Sequence, residues 1–562
     1  MACAMRSPAR WAALSILCVC AFAGMAAERA APAVANRGAA KPARTFNNPV
    51  LPGFYPDPSI CRRGDDYYLV ASSFEYFPGL PVFHSRDLVN WRQIGHAIDR
   101  PSQIDLDSAP ASGGLYAPTI RFHGDTFYIV NTLVLGGERK ANFIVTAADP
   151  AGPWSQPYWL NDAPGIDPSL FFDDDGRAWY TVSRHAYEGH YRGHTEIRLQ
   201  EFDCAAMRLF GGSQVLWDGA LRGAVYSEGP HIYKIDGWYC LLTAEGGTGH
   251  DHAVVVARSK NIAGPFQNNP RNPILTHRHL GLDYPIVGTG HADIVQTQKN
   301  EWWMVLLAMR PYGGYFYNCG RETFLASMIW ENGWPVVCPG IGRVEFSNPA
   351  PDLPEHPWPL PAQRDDFDSS GLALCWNFIR IPRDTFYSLS EHAGSLRLHL
   401  KPRVLTEPTN PVFIGRRQQH QNFCAATVME FSPQKPNECA GMALVQNPRF
   451  NFRFVVTCGE RSVISLIQCK DGRDSVINAV PIIGKRIFMK AQAHGQEYGF
   501  YIAEQPGQWK PVAAKVDGRI LSTPEAGGFV GAYIGLYASS NGKASDAHAD
   551  FDWFEYQGMK NE

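Results

Sequence analysis

GDDYYLV, residues 64–70, is a glycine turn running into a strand of aromatic and aliphatic residues, and the chain repeats that phrase four more times. GDTFYIV (124–130), GRAWYTV (176–182), GWYCLL (237–242) and NEWWMVLL (300–307) follow at nearly even steps. Each turn residue tolerates positive φ, and each run after it has the composition of a packed strand. Just upstream of each turn lies a short segment: DPSI (57–60), APTI (117–120), DPSL (167–170), EGPHI (228–232) and HADI (291–294). Downstream, SRDLVNW (85–91), AADPAGPW (147–154) and SKNIAGPF (259–266) are turns that end in an aromatic. Strand, turn, strand and return within one such step is the content of one four-stranded blade. Five copies predict an all-β chain beginning with a five-bladed β-propeller over 45–348. A solenoid or two sandwiches is the alternative, but no helical period or leucine-rich register accompanies the repeat.

The propeller carries a functional inference. Innermost strands line a central axis, so equivalent positions at their ends form a ring around one mouth. Those positions hold Asp57, Ala117, Asp167, Glu228 (offset by one) and His291, which are widely separated in sequence. An Asp before Pro is by itself a turn former. Gathered at a narrow mouth, however, like charges repel and raise the pKa of at least one member, an arrangement rarely kept without a chemical use. Two carboxyl groups across a sugar acetal suffice for glycoside hydrolysis, and a third acid can tune the donor. Phe54, Tyr55, Phe74, Tyr76, Phe77 and Tyr116 offer apolar faces to sugar C–H groups, and Arg321 can bind hydroxyls. His291 has three uses open to it: core hydrogen bonding, orienting a carboxylate through water, or joining a metal site on the axis. Asp173, Asp174 and Asp175 read as a solvated turn, since the spaced ligands of a calcium loop are missing.

Composition agrees with this class. Of 562 residues, 45% are hydrophobic and 12% aromatic, with 52 Gly and 42 Pro, which suits short strands and many turns. Lys plus Arg number 51 against 54 Asp plus Glu, without the positive excess of a nucleic-acid surface. Arg6 and Arg10 precede an apolar run from Trp11 to about Ala27 that ends in small residues, the layout of a signal peptide over 1–27. A flexible leader over 28–44 would follow, giving an exported protein, periplasmic or secreted, with no membrane anchor after the signal is removed. The ten cysteines beyond the signal include no CxxC pair, which argues against zinc; export leaves room for a disulfide or two. Nothing in the sequence speaks to oligomeric state.

PAPDLPEHPWPLPA (349–362) contains six prolines and reads as a stiff linker extending to 364. After it, alternation recurs in SLRLHL (395–400), ATVMEF (426–431), RFVV (453–456), SVISLI (462–467), RIFMKA (486–491), YGFYIA (498–503), VGAYIGLYA (530–538) and ADFDWFEY (549–556). Strands at such spacing predict a second domain over 365–562, a β-sandwich that braces the propeller or binds sugar itself.

Six ordered motifs, NPVLPGFYPDPSI (48–60), GLYAPTI (114–120), GIDPSLF (165–171), YSEGPHIYK (226–234), GTGHADIV (288–295) and GRETFL (320–325), resemble glycoside hydrolase family 43. The resemblance is to its β-xylosidase and α-L-arabinofuranosidase branch, which has a lectin-like, jelly-roll C-terminal sandwich. It implies an inverting mechanism with Asp57 as general base, Glu228 as general acid and Asp167 as the residue that modulates pKa and orients. It further implies that Arg321 binds substrate, that Phe74 walls the sugar subsite and that His291 is the axial histidine, near a bound calcium ion or water in some relatives. No cofactor is required, and Ca²⁺ is the one ion left open. Relatives of the xylosidase type often carry Trp where this chain has Tyr116, which leaves the choice of sugar open. Inversion needs room for a water, so the carboxyls of Asp57 and Glu228 are expected about 6.5 to 9.5 Å apart.

The expected activity is exo-hydrolysis, releasing terminal β-D-xylose or α-L-arabinofuranose from hemicellulose-derived oligosaccharides. An endo-acting arabinanase or xylanase and a non-catalytic carbohydrate-binding propeller are the alternatives.

Overall fold

The computed structural model describes residues 44–559 apart from 137–138, 221–222 and 460. The signal expected at 1–27, and all but the last residue of the leader expected at 28–44, lie outside the described residues.

Five antiparallel sheets follow one another along the first part of the chain, each built from consecutive strands. Their inner pairs are Ser59–Arg63 with Asp66–Val70, Thr119–His123 with Thr126–Val134, Ile166–Phe172 with Ala178–His185, Glu228–Ile235 with Trp238–Glu245, and Val287–Gln296 with Trp302–Met309. We number these sheets blades I to V. The turns between the paired strands are the repeated phrases, and Gly64, Gly124, Gly176, Gly237 and Asn300 all have φ between 54° and 85°. A side chain at Gly64, Gly124 or Gly176 would meet nothing within 4 Å, so backbone conformation and not crowding selects the residue there.

A second left-handed residue marks the start of the inner strand in four blades: Asp57 (φ 53°), Asp167 (φ 55°), Gly229 (φ 57°) and His291 (φ 47°). The ladders of blades III, IV and V are irregular there, with register shifts between Ile166 and Ser169, Glu228 and His231, and Gly290 and Asp293. Such bulges bend a strand and re-aim its side chains. One turn deeper, Asp293 accepts from Ser59 Oγ (2.6 Å), the Ile60 amide (3.0 Å), Arg121 Nη1 (2.8 Å) and the Tyr233 hydroxyl. His231 Nδ1 accepts from Arg121 Nη2 at 3.0 Å and lies 3.1 Å from Ser169 Oγ, so this polar layer joins the inner strands of all five blades. The ring closes through Thr45–Asn47 paired with Ser347–Pro349, and Asn48 exchanges hydrogen bonds with the backbone of Leu325.

Residues 350–363 carry no helix or strand. Beyond them two eight-stranded antiparallel sheets form the sandwich. One of them ends on Tyr76–Phe77, a short strand that lies in the chain between two strands of blade I and pairs with Asn377–Ile379. A hydrophobic core runs without a break from Val70, Leu80 and Phe143 in the blades to Leu396, Phe454 and Phe500 in the sandwich. Burial at this scale stabilises by roughly 25 cal/mol per Å² of apolar surface, so the sandwich and propeller hold each other in place.

Two expectations change. Asp173 is buried and takes hydrogen bonds from Lys234 Nζ (2.7 Å) and Tyr239 OH (2.6 Å), tying blade III to blade IV, while Asp174 is exposed as a solvated turn requires. All ten described cysteines are free thiols.

Candidate active site

The left-handed residues at the inner-strand starts gather Asp57, Asp167, Glu228 and His291 around one pocket of about 750 Å³, which Phe74, Tyr116 and Arg321 also line. Blade IV accounts for the offset of Glu228. There Gly229 takes the left-handed position, and a Cβ on it would sit 3.1 Å from His291 Nε2, so the acid must come from the residue before it.

The three carboxyls have different surroundings. Asp57 is 3% exposed; its Oδ1 accepts from Arg321 Nη1 at 2.7 Å, its Oδ2 accepts from Ser72 Oγ at 2.6 Å, and His291 Nδ1 lies 3.9 Å away. Burial alone would raise its pKa, but the Arg321 guanidinium, His291 and the Ser72 hydroxyl outweigh it and hold Asp57 below the ordinary carboxylate value. Among the described residues Asp167 accepts only the Gly229 amide, at 3.2 Å, and burial together with the charge of Asp57 raises its pKa despite His291. Glu228 is pushed well above its ordinary value, first by burial of its carboxyl and then by the charges of Asp167 and Asp57. One carboxyl held ionised and another held protonated in the same pocket is a pairing of a base with an acid.

Arg321 does more than charge-balance Asp57. Nη1 also reaches Thr248 Oγ1 (3.2 Å), Nε donates to the Phe529 carbonyl (3.3 Å), and Nη2 is buried without a partner among the described residues. A buried guanidinium N–H is costly to leave unpaired, so this donor is available to a ligand hydroxyl.

Phe529, which sequence reasoning missed, belongs to the sandwich. Its ring lies 6.0 Å from that of Phe74 and 6.3 Å from that of Tyr116, closing one side of the pocket. Lys140, His185 and the exposed Tyr187 line the pocket elsewhere. Of the six aromatics expected beside the acids, only Phe74 and Tyr116 reach the pocket. Phe54 supports Phe74 from behind at 5.8 Å, Tyr55 packs edge-on to Phe83, Tyr76 stacks on Tyr533 at 3.8 Å, and Phe77 joins the interdomain core. Positive φ at Phe74 (51°), where its backbone pairs with Leu115, turns that ring toward the pocket.

Ca²⁺ takes six to eight oxygen ligands, whereas both oxygens of Asp57 already accept from Arg321 and Ser72. Among the described residues no three His, Cys, Asp or Glu side chains converge to hold a metal.

Comparison with known proteins follows the same division of the chain. Residues 46–335 match the model of glycosyl hydrolases family 43, and residues 364–557 match the beta xylosidase C-terminal Concanavalin A-like domain. A xylosidase/arabinosidase of Butyrivibrio fibrisolvens is 46% identical over 515 residues, 90% of this chain and 98% of that protein. A non-reducing end alpha-L-arabinofuranosidase of Bacteroides ovatus is 40% identical, covering 92% and 95%. The crystal structure of a xylan beta-1,4-xylosidase from Bacillus halodurans superposes with a TM-score of 0.87 at 36% identity, over 91% of this chain and 100% of the other.

Proposed function

The chain belongs to glycosyl hydrolases family 43, an inverting family, and from that premise we propose that its pocket releases single terminal pentoses, β-D-xylose or α-L-arabinofuranose, from hemicellulose-derived oligosaccharides. Asp57 takes a proton from a water, and the water oxygen bonds to the anomeric carbon. The glycosidic C–O bond breaks on the opposite face of that carbon, and Glu228 gives its proton to the departing oxygen. Asp57 ends protonated and Glu228 ionised, and exchange with solvent restores both. Asp167 keeps Glu228 protonated through its charge, and the unpaired Nη2 of Arg321 holds a sugar hydroxyl. Phe74, Tyr116 and Phe529 wall the sugar.

The observation that carries this reading is the opposite displacement of Asp57 and Glu228, one held ionised and the other held protonated in a shared pocket. Exo action follows from the wall: Phe529 packs against Phe74 and Tyr116 on one side, where an endo-acting enzyme needs the chain to continue. The names of the relatives pair xylosidase with arabinosidase, and Tyr116 in place of a larger ring leaves room for either pentose. Export rests on residues 1–27 alone and places the enzyme where plant-derived oligosaccharides reach it.

The test is release of nitrophenol from the nitrophenyl β-D-xyloside and α-L-arabinofuranoside, with the first-formed sugar anomer read by proton NMR. Turnover of at least one substrate with inversion is expected. Turnover of neither, or a product of retained configuration, contradicts the reading.

A further inference from the structure

Phe529 reaches the pocket from a loop whose position is set by a residue that does not itself line it. The Phe529 amide donates to Ser112 Oγ at 2.9 Å, and Ser112, in the segment leading into blade II, has φ 61°. A Cβ at Gly528 would lie 2.4 Å from that same Oγ, so the loop approaches closely enough to require glycine. The Ser112 amide in turn donates to Glu75 Oε2 at 3.0 Å. Glu75 is 3% exposed and directly follows Phe74, the other aromatic wall, whose backbone is paired with Leu115. The Glu75 carbonyl accepts the amide of Arg380 in the sandwich at 2.8 Å. The loop of blade I, the approach to blade II and the sandwich therefore meet at one residue, Glu75, whose carboxyl holds the approach to blade II and whose carbonyl holds the sandwich.

That carboxyl is costly where it stands. No ion pair reaches it among the described residues, because the Arg380 guanidinium is turned to the carbonyls of Ala109 and Thr409. Burial pushes it up to about 7, against hydrogen bonds from its own amide and that of Ser112. A carboxylate offers acceptors on both oxygens and glutamine would keep one of them, whereas a leucine side chain offers none to the Ser112 amide.

Resting on the reading of this pocket as a pentose subsite, we propose that Glu75 is a positioning residue whose carboxylate, through Ser112, holds the Phe529 ring that the sandwich lends to the subsite. Glu75 touches no substrate, and its effect on sugar binding passes through that ring.

The test applies hydrogen-exchange mass spectrometry and steady-state kinetics to the full chain and its Glu75→Leu variant. Exchange in a peptide spanning 523–531 is expected to quicken about tenfold while the central strand 450–458 is unchanged, because the Phe529 amide loses its fixed acceptor. KM for a nitrophenyl pentoside is expected to rise about tenfold with kcat within threefold, the pattern of lost uniform binding. In a Phe529→Ala background the same substitution should change KM less than twofold. If Glu75→Leu does not fold, Ser112→Gly suits the left-handed backbone, removes the hydroxymethyl group that accepts the Phe529 amide and carries the same expectations. Unaltered exchange at 523–531, or an equal KM effect with and without the Phe529 ring, overturns the proposal. Altered exchange in a protein that cleaves no pentoside leaves the positioning role standing and removes the functional reading instead.

Discussion

Arg321 and Asp57, distant in sequence, meet in a 2.7 Å charge-assisted hydrogen bond at the floor of the pocket. This contact joins blade V to blade I and keeps Asp57 ionised against the burial that would protonate it.

Removing the cation should therefore move the acid limb of the pH profile. Asp57 acts as base only when ionised, so raising its pKa raises the pH below which kcat/KM falls. Arg321→Met is expected to move that limb upward by about one to three pH units. Arg321→Lys, which keeps a charge, should move it less. The pH dependence of kcat/KM on a nitrophenyl pentoside reads both, and an acid limb indifferent to residue 321 contradicts the assignment.

Asp167 acts on the other limb. Its negative charge helps to hold Glu228 protonated, so Asp167→Asn lowers the Glu228 pKa. The alkaline limb should shift toward lower pH, with activity at neutral pH reduced because less of the acid carries its proton. A shift toward higher pH would run against the electrostatics described here.

In the proposed mechanism Glu228 protonates the leaving oxygen, and its worth depends on how badly that oxygen needs a proton. Glu228→Gln should lose on the order of 10² to 10⁴ in rate on a xylo-oligosaccharide, and much less on a dinitrophenyl pentoside, whose phenolate leaves unaided. Equal losses on the two substrates would assign the proton donor elsewhere.

Away from the pocket, the axial layer predicts a stability effect. Asp293 is fully buried, and although burial opposes its charge, Arg121, His231 and the Ser59 and Tyr233 hydroxyls hold its pKa well below the ordinary value. Its contribution is thus present above the unfolded carboxylate pKa and is lost as pH falls toward the folded value. Asp293→Ala leaves Arg121 buried without its counter-charge, at a cost of about 3 to 5 kcal/mol. Urea denaturation at neutral pH should show the midpoint well below that of the parent chain, and an unchanged midpoint would mean the layer does not hold the blades.

Much of this was legible in the sequence because the blade turns and inner-strand starts are local events. Gly64 and its four counterparts sit at positive φ before apolar strands, and that pairing shows in composition. In the sandwich, strands with one buried face, such as Arg486–His494, show as alternation. Others did not: Cys439–Asn447 and Val412–Arg417 are buried on both faces and Arg473–Pro481 is exposed on both, so none of them alternates, while Lys510–Asp517 carries a proline near its start. Phe529 had no local signal, since what brings it to Arg321 is the packing of one domain on another. The aromatic set at 54–77 was overread because the backbone reversal at Phe74 depends on its pairing with Leu115, a partner that belongs to the sheet of blade II.

Acids set far apart along the chain work as one catalytic pair in this pocket, and turnover by Asp57→Asn decides whether they do. The variant keeps the shape of the side chain and removes the base. Its fold should stay the parent's, with a lower thermal midpoint because Arg321 loses its counter-charge, and kcat on both a nitrophenyl pentoside and a xylo-oligosaccharide should fall on the order of 10² to 10⁴. A folded Asp57→Asn enzyme that turns over either substrate at the parent rate would contradict the pairing.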